Sequence, residues 1–274
     1  MKSGQRWHYK LAALALATAL CIVPSLSFAE EGESKVGWDV GLKMWVATWQ
    51  APLLFLSSSG DALAMKSQTT ALLGPTATIG FKTSDSDWFH HVWFNGTYLT
   101  SAGDFDFDFN KTAYGYRSVK ADRQDVNLIA GVNVYGGLSA YAGYFGSFQD
   151  VKYTTTTSTT VNREINAFVV GLAGHEALSD HVDLKGNAGV AVGSYQYRAQ
   201  NSSGGSTTAA PKDLYGWSTE VGLNIHANMK KFDPYFYLGM RVQEYEVPQK
   251  LTNGQTLRYT DITYGPMFQI GAKF

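Results

Sequence analysis

From Val36 to the C terminus, apolar and polar side chains alternate with a period of two in one segment after another. The last segment is the clearest: Tyr264, Pro266, Phe268, Ile270, Ala272 and Phe274 fall on one face, and Gly265, Met267, Gln269, Gly271 and Lys273 on the other. Upstream, Trp38, Val40, Leu42, Met44 and Val46 alternate with Asp39, Gly41, Lys43 and Trp45. Val126, Leu128, Ala130, Val132 and Val134 alternate in the same way with Asn127, Ile129, Gly131 and Asn133. Trp217, Thr219, Val221, Leu223 and Ile225 do so with Ser218, Glu220, Gly222, Asn224 and His226. Successive side chains of a strand point to opposite faces, so this pattern demands a sheet with two chemically different sides. A helical membrane protein is excluded, because no apolar run approaches the roughly 20 residues that a helix needs to cross hydrocarbon.

Ten such segments can be delimited, at about 36–49, 69–82, 88–101, 121–135, 138–153, 162–175, 181–197, 214–228, 235–245 and 257–274. The links after the second, fourth, sixth and eighth are short, whereas the remaining links are mostly long and polar, including 154–160 and 199–213. Regular alternation of short turns and long loops is expected of an up-and-down barrel in a membrane, and a soluble β-sandwich has no reason to obey it. The fold class read from the chain is therefore all-β: a transmembrane antiparallel up-and-down β-barrel of about 10 strands, with short periplasmic turns and long extracellular loops. In hydrocarbon no sheet edge can be left open, so the first and last strands are expected to pair.

The N terminus is read separately. Lys2, Arg6 and Lys10 precede the apolar run Leu11 to Val23, and Ser27-Phe28-Ala29 stands before Glu30. That succession is expected to be a signal peptide spanning 1–29, leaving 30–274 as one barrel domain. The only cysteine, Cys21, lies inside the leader and lacks the context of a lipoprotein site. The remainder has no thiol for a disulfide, a metal or a nucleophile. Its charge is −4, from 19 Lys and Arg against 23 Asp and Glu. Nothing basic in it asks for nucleic acid.

A leader followed by a chain that ends in an amphipathic strand with the aromatic Phe274 at its terminus resembles the bacterial outer-membrane β-barrel proteins, as a broad class and over essentially all of 30–274. The resemblance implies residence in the cell outer membrane of a Gram-negative envelope. It also implies outer-membrane lipids, including lipopolysaccharide, as surroundings, and periplasmic chaperones and the barrel-assembly machinery as partners. It implies work as a narrow channel, a surface structural protein or an adhesin.

Candidate site residues follow from the faces. Lys43, Glu220, Arg241 and Asp261 are the charges expected to line the lumen, the first three near mid-height and Asp261 nearer the outside. With a symmetric last loop, Arg241 should lie opposite Asp261. Such charges serve either as the selectivity lining of a narrow pore or as polar packing that fills a small barrel. Aromatic girdles are expected at strand ends: Trp38, Trp88, Tyr235 and Phe274 on the periplasmic rim, and Trp49, Tyr98, Tyr153, Tyr215 and Tyr259 on the outer one.

Two clusters suggest metal but fit it poorly. In Asp104-Phe105-Asp106-Phe107-Asp108-Phe109-Asn110, carboxylates two residues apart on a strand are about 7 Å from each other, too far to share one Ca²⁺, so an extension of the strand above the membrane is preferred. His175, Asp180, His181 and Asp183 read as a solvated turn. The histidines His90, His91, His175, His181 and His226 all fall near the periplasmic rim, away from outer-leaflet substrates, so no catalytic, metal or cofactor residue is assigned and no enzyme is expected. The apolar stretch Pro52-Leu53-Leu54-Phe55-Leu56 either plugs the mouth or lies against the outer leaflet. The favoured function is a narrow pore or passage for small solutes, and the alternative is a structural or adhesive surface protein without transport.

Overall fold

The computed structural model describes residues 36–53, 63–84, 88–108, 118–154, 158–202, 204–208, 210–229, 232–250 and 256–274. The expected signal peptide, 1–29, and Leu54-Phe55-Leu56 of the apolar stretch lie outside them.

Among the described residues, alternating apolar and polar side chains rich in Val, Thr and aromatics form thirteen strands, because β-branched and aromatic side chains suit a pleated surface. They are β1 (Val36–Leu53), β2 (Leu63–Ser67), β3 (Thr70–Lys82), β4 (His91–Ser101), β5 (Phe105–Asp108), β6 (Ser118–Tyr135) and β7 (Leu138–Thr154). They continue with β8 (Ser158–Ser179), β9 (Val182–Asn201), β10 (Ser206–Thr208), β11 (Lys212–His226), β12 (Asp233–Lys250) and β13 (Thr256–Lys273). Ten of them form a ring, in the order β1, β3, β4, β6, β7, β8, β9, β11, β12, β13. The ring is closed by antiparallel pairing of β13 with β1, from Asp39 opposite Lys273 to Gln50 opposite Ile262. Closure satisfies the backbone groups that lipid cannot, and it is the pairing of first and last strands expected from the sequence.

The three short strands extend the wall. β2 pairs with the far end of β1, β5 pairs with β2, and β5 pairs in turn with β6. They thus repeat the order β1, β3, β4, β6 one level higher, and β10 likewise returns along β9 ahead of β11. The breaks are small, and Gln68 N–H donates to Asp106 O at 2.7 Å across one of them.

Several outer connections expected as long loops are therefore strand. The Thr-rich run expected as loop 154–160 shrinks to residues 155–157 between β7 and β8, because β-branched threonines stay in the ladder. The short-turn end keeps its expected form. Gly136-Gly137 links β6 to β7, and Gly136 sits at φ 51°, where only a residue without a Cβ is at ease.

The outward face divides into two zones. Near the short-turn end it is apolar, with Leu42, Phe94, Leu128, Phe168, Leu172, Val190, Leu238 and Ile270 all exposed. On β8 this belt runs from Phe168 through Val170 and Leu172 to Leu178, a span that fits the roughly 9–11 strand residues crossing a bilayer. Beyond it the same face becomes polar, with Asn162, Glu164 and Asn166 on β8 and Asp150 and Lys152 on β7. The barrel is thus an outer-membrane barrel that projects well past the hydrocarbon, and its short turns mark the periplasmic end.

Candidate functional site: a filled lumen over a blind cavity

At mid-height Lys43 on β1, Glu220 on β11 and Arg241 on β12 converge. Each has the parity of the inward face of its strand, and the Glu220 carboxylate takes Lys43 Nζ at 3.1 and 3.2 Å. Arg241, the cross-strand partner of Glu220, lays its guanidinium 4.8 Å from the centroid of the Trp45 ring.

Asp261 stands apart from this trio. It accepts from Trp49 Nε1 at 2.5 Å and from the Arg163 guanidinium at 3.0 Å. The expected pairing of Arg241 with Asp261 does not form: Arg241 is opposite Gly265 and Asp261 opposite Tyr245. The β12–β13 hairpin turns two residues later in the chain than a symmetric loop would, so the register slides by an even number and the inward faces survive.

The same level holds residues not singled out from the sequence. Arg123 donates to Asp125 at 2.9 Å through both Nε and a terminal nitrogen, to Thr263 at 2.5 Å and to Gln243 at 3.2 Å. Arg163 also donates to the Tyr195 hydroxyl at 3.0 Å. Arg123 is 1% exposed, and Trp45 and Trp49 are fully buried. Arg123 stands on β6 and Gln243 on β12, five places apart in either direction around the ring, so their hydrogen bond crosses the full lumen. A signal existed in the sequence, because Arg123 and Asp125 share parity with Asn127 and Ile129. They lay at the edge of the segment, outside the mid-height window.

Above this layer the interior is apolar. Phe105 and Phe107 pack edge-on against Trp49 with ring centroids 5.4 and 5.3 Å away, and Leu72, Leu99, Val119, Val151 and Val161 complete the cluster. In its described part the Asp-Phe repeat is thus a strand extension, with these two phenyl rings inward and the Asp104 and Asp106 carboxylates outward, 3.7 and 3.3 Å from Lys120 Nζ. Those two carboxylates hold the Lys120 ammonium above the ordinary lysine pKa.

Below the charged layer lies a cavity of about 700 Å³, roofed by Lys43, Glu220, Arg241 and Tyr245 and reaching the periplasmic rim at the exposed His175 and Ala177. Trp93, Tyr141 and Phe145 form part of its wall and Asn127, Asn187 and Asn224 another. Tyr141 lies across two glycines of neighbouring strands, its hydroxyl 2.5 Å from where a Cβ on Gly171 or Gly189 would stand. At the rim His226 sits between Asp183 (3.5 Å) and Asp233 (3.1 Å), so Asp183 turns to His226 instead of grouping with His175.

The girdles are sparser than expected. Trp49, Tyr153, Tyr235 and Tyr259 face the interior, because their parity is that of the lumen side. Trp88, Tyr215 and Phe274 remain exposed; Trp88 lies 4.8 Å from Tyr135 and Phe274 5.4 Å from Phe232, measured between ring centroids.

No family model matches the chain, and no curated protein does. Among solved structures it is similar to the outer membrane protease OmpT from Escherichia coli, at 10% identity and a TM-score of 0.48, covering 90% of this chain and 99% of that one. It is similar to the translocator domain of the autotransporter NalP from Neisseria meningitidis, at 12% identity and 0.47, covering 97% and 95%. It is similar also to the β domain of the Bordetella autotransporter BrkA, at 13% and 0.45, covering 88% and 99%. At these identities nothing about activity passes from those proteins to this chain.

Proposed function

We propose that this protein is a closed outer-membrane barrel that works by presenting the polar wall above its membrane belt at the cell surface, as a structural or adhesive protein, and not as a standing solute pore. The observation that carries this reading is the Arg123 layer, in which fully buried side chains bridge opposite walls beneath an apolar cluster. A small barrel can be filled by its own side chains, and the charges of this layer, Arg123 with Asp125 and Arg163 with Asp261, are paired with one another instead of facing a water column. In this reading Lys43, Glu220, Arg241 and Asp261 pack the lumen and are not a selectivity filter. The protein works without catalysis, since every histidine among the described residues lies towards the periplasmic end. Lipopolysaccharide and the other outer-membrane lipids surround the apolar belt.

Planar-bilayer recording of the folded, detergent-purified protein tests it. The expected trace stays at background. Steady channels of uniform conductance would overturn the proposal in favour of a narrow solute passage.

A further inference from the structure

The cavity beneath the roof lies on the periplasmic side of the charged layer, away from the outer wall. Its chemistry is uneven. At the closed end, Glu220 takes Lys43 and a hydrogen bond from Tyr237; Arg241, only 8% exposed, is its cross-strand neighbour and shares its charge with Lys43, but makes no hydrogen bond or ion pair of its own among the described residues. Its guanidinium lies over the Trp45 ring, and the trio, two cations sharing one carboxylate, keeps a net positive charge. A buried guanidinium whose only counter-charge is shared with a lysine and which makes no hydrogen bond is costly, and the group best matched to its planar fork is a carboxylate.

A second polar group is also unsatisfied. Asn224 is 1% exposed and lines the same cavity; its Nδ2 has no partner and is turned away from solvent, so the carboxamide serves a ligand by rotating that nitrogen into the cavity. It lies on the inward face four residues along β11 from Glu220, about 13 Å at strand spacing, so a molecule serving both Arg241 and Asn224 must be elongated. Between the two, Trp93 and Tyr141 present adjacent rings with centroids 6.4 Å apart, while Asn127 and Asn187 offer amides. Aromatic faces beside amides match a molecule with apolar C–H faces and a rim of hydroxyls.

We infer that the cavity binds a short acidic saccharide of one or two sugar rings, with its carboxylate on Arg241, hydroxyls on Asn224 and its neighbouring amides, and a sugar face against Tyr141 and Trp93. A volume of about 700 Å³ accommodates it. Phosphate alone would satisfy Arg241 but neither the amides nor the rings.

Isothermal titration of the full protein in detergent, with digalacturonate as the probe, tests this. Binding is expected for digalacturonate, with its methyl ester and benzoate each at least about tenfold weaker. Arg241→Met, which keeps the packing on Trp45, should weaken binding by about tenfold or more. Asn224→Ala should weaken it severalfold, and it decides the matter if Arg241→Met does not fold. No heat with digalacturonate, an ester bound equally well, benzoate bound equally well, or an unchanged affinity in Asn224→Ala would each overturn the inference. None of these results bears on conductance, so this proposal and the closed-barrel reading fail separately.

Discussion

Asp261 is held by two donors at once, Trp49 Nε1 and the Arg163 guanidinium, in a place where no side chain is more than a few per cent exposed. Removing one partner of a buried ion pair leaves the other charge desolvated and uncompensated, which costs about 3–5 kcal/mol. Asp261→Ala is therefore expected to lower the stability of the folded barrel by about 3 kcal/mol or more in urea titrations followed by tryptophan fluorescence. Tyr141 makes a complementary case of shape. Because its hydroxyl occupies the space of a Cβ on Gly189, Gly189→Ala should cost about 1–3 kcal/mol, and the loss should shrink in the double variant with Tyr141→Ala, where only the Val170 carbonyl, 3.0 Å away, still crowds the Cβ. Lys120 lies at the other extreme. Its pairs with Asp104 and Asp106 are exposed, so Lys120→Ala should leave the thermal transition unmoved. Its pKa is raised, so the charged pairing is fully present at neutral pH. It is lost only as pH climbs past the ordinary lysine value and through the raised one.

Within single strands, one continuous ladder passes from lipid contact to water contact. On β8 the change falls between Phe168, which is exposed in the apolar belt, and Asn166, whose carboxamide accepts from the Tyr144 hydroxyl. Arginine on the lipid face near the bilayer midplane costs about 2–4 kcal/mol, and near the interface almost nothing. Leu172→Arg should therefore impair folding into lipid vesicles by about 2–4 kcal/mol, whereas Glu164→Arg, on the same face of the same strand, should be nearly neutral. Equal penalties at the two positions would mean that the belt is drawn in the wrong place. The Thr-rich segment shows why the ends of strands were hard to delimit from composition. Polar residues signal a loop only where they leave the ladder, and here Thr159 and Thr160 remain paired with Tyr153 and Lys152.

For the whole molecule, closure is the property on which the rest depends. Leu42 and Ile270 face each other across the β1–β13 seam, both more than half exposed on the outer surface. Since Cys21 is the chain's only cysteine, Leu42→Cys and Ile270→Cys combined with Cys21→Ser would leave the new pair without a competitor. Mild oxidation of that variant in folded form is expected to join the two ends covalently, as seen by altered mobility on denaturing gels. Failure to cross-link would indicate an open seam.

The sequence by itself determined the number of barrel strands, the alternation of side chains along each of them and the closure of the ring. Side-chain parity is a property of the extended backbone, and lipid tolerates no open edge. From parity alone Lys43, Glu220, Arg241 and Asp261 could be turned inward, and Arg123, Asp125 and Arg163 were equally within reach. Only the tertiary structure decided which charges meet. The partner of Arg163 stands four strands away around the ring, and the neighbour of Arg241 depends on where a hairpin turns. A lumen packed above and hollow below is the outcome of side chains meeting across the barrel from strands far apart in the chain, and no local pattern records such meetings.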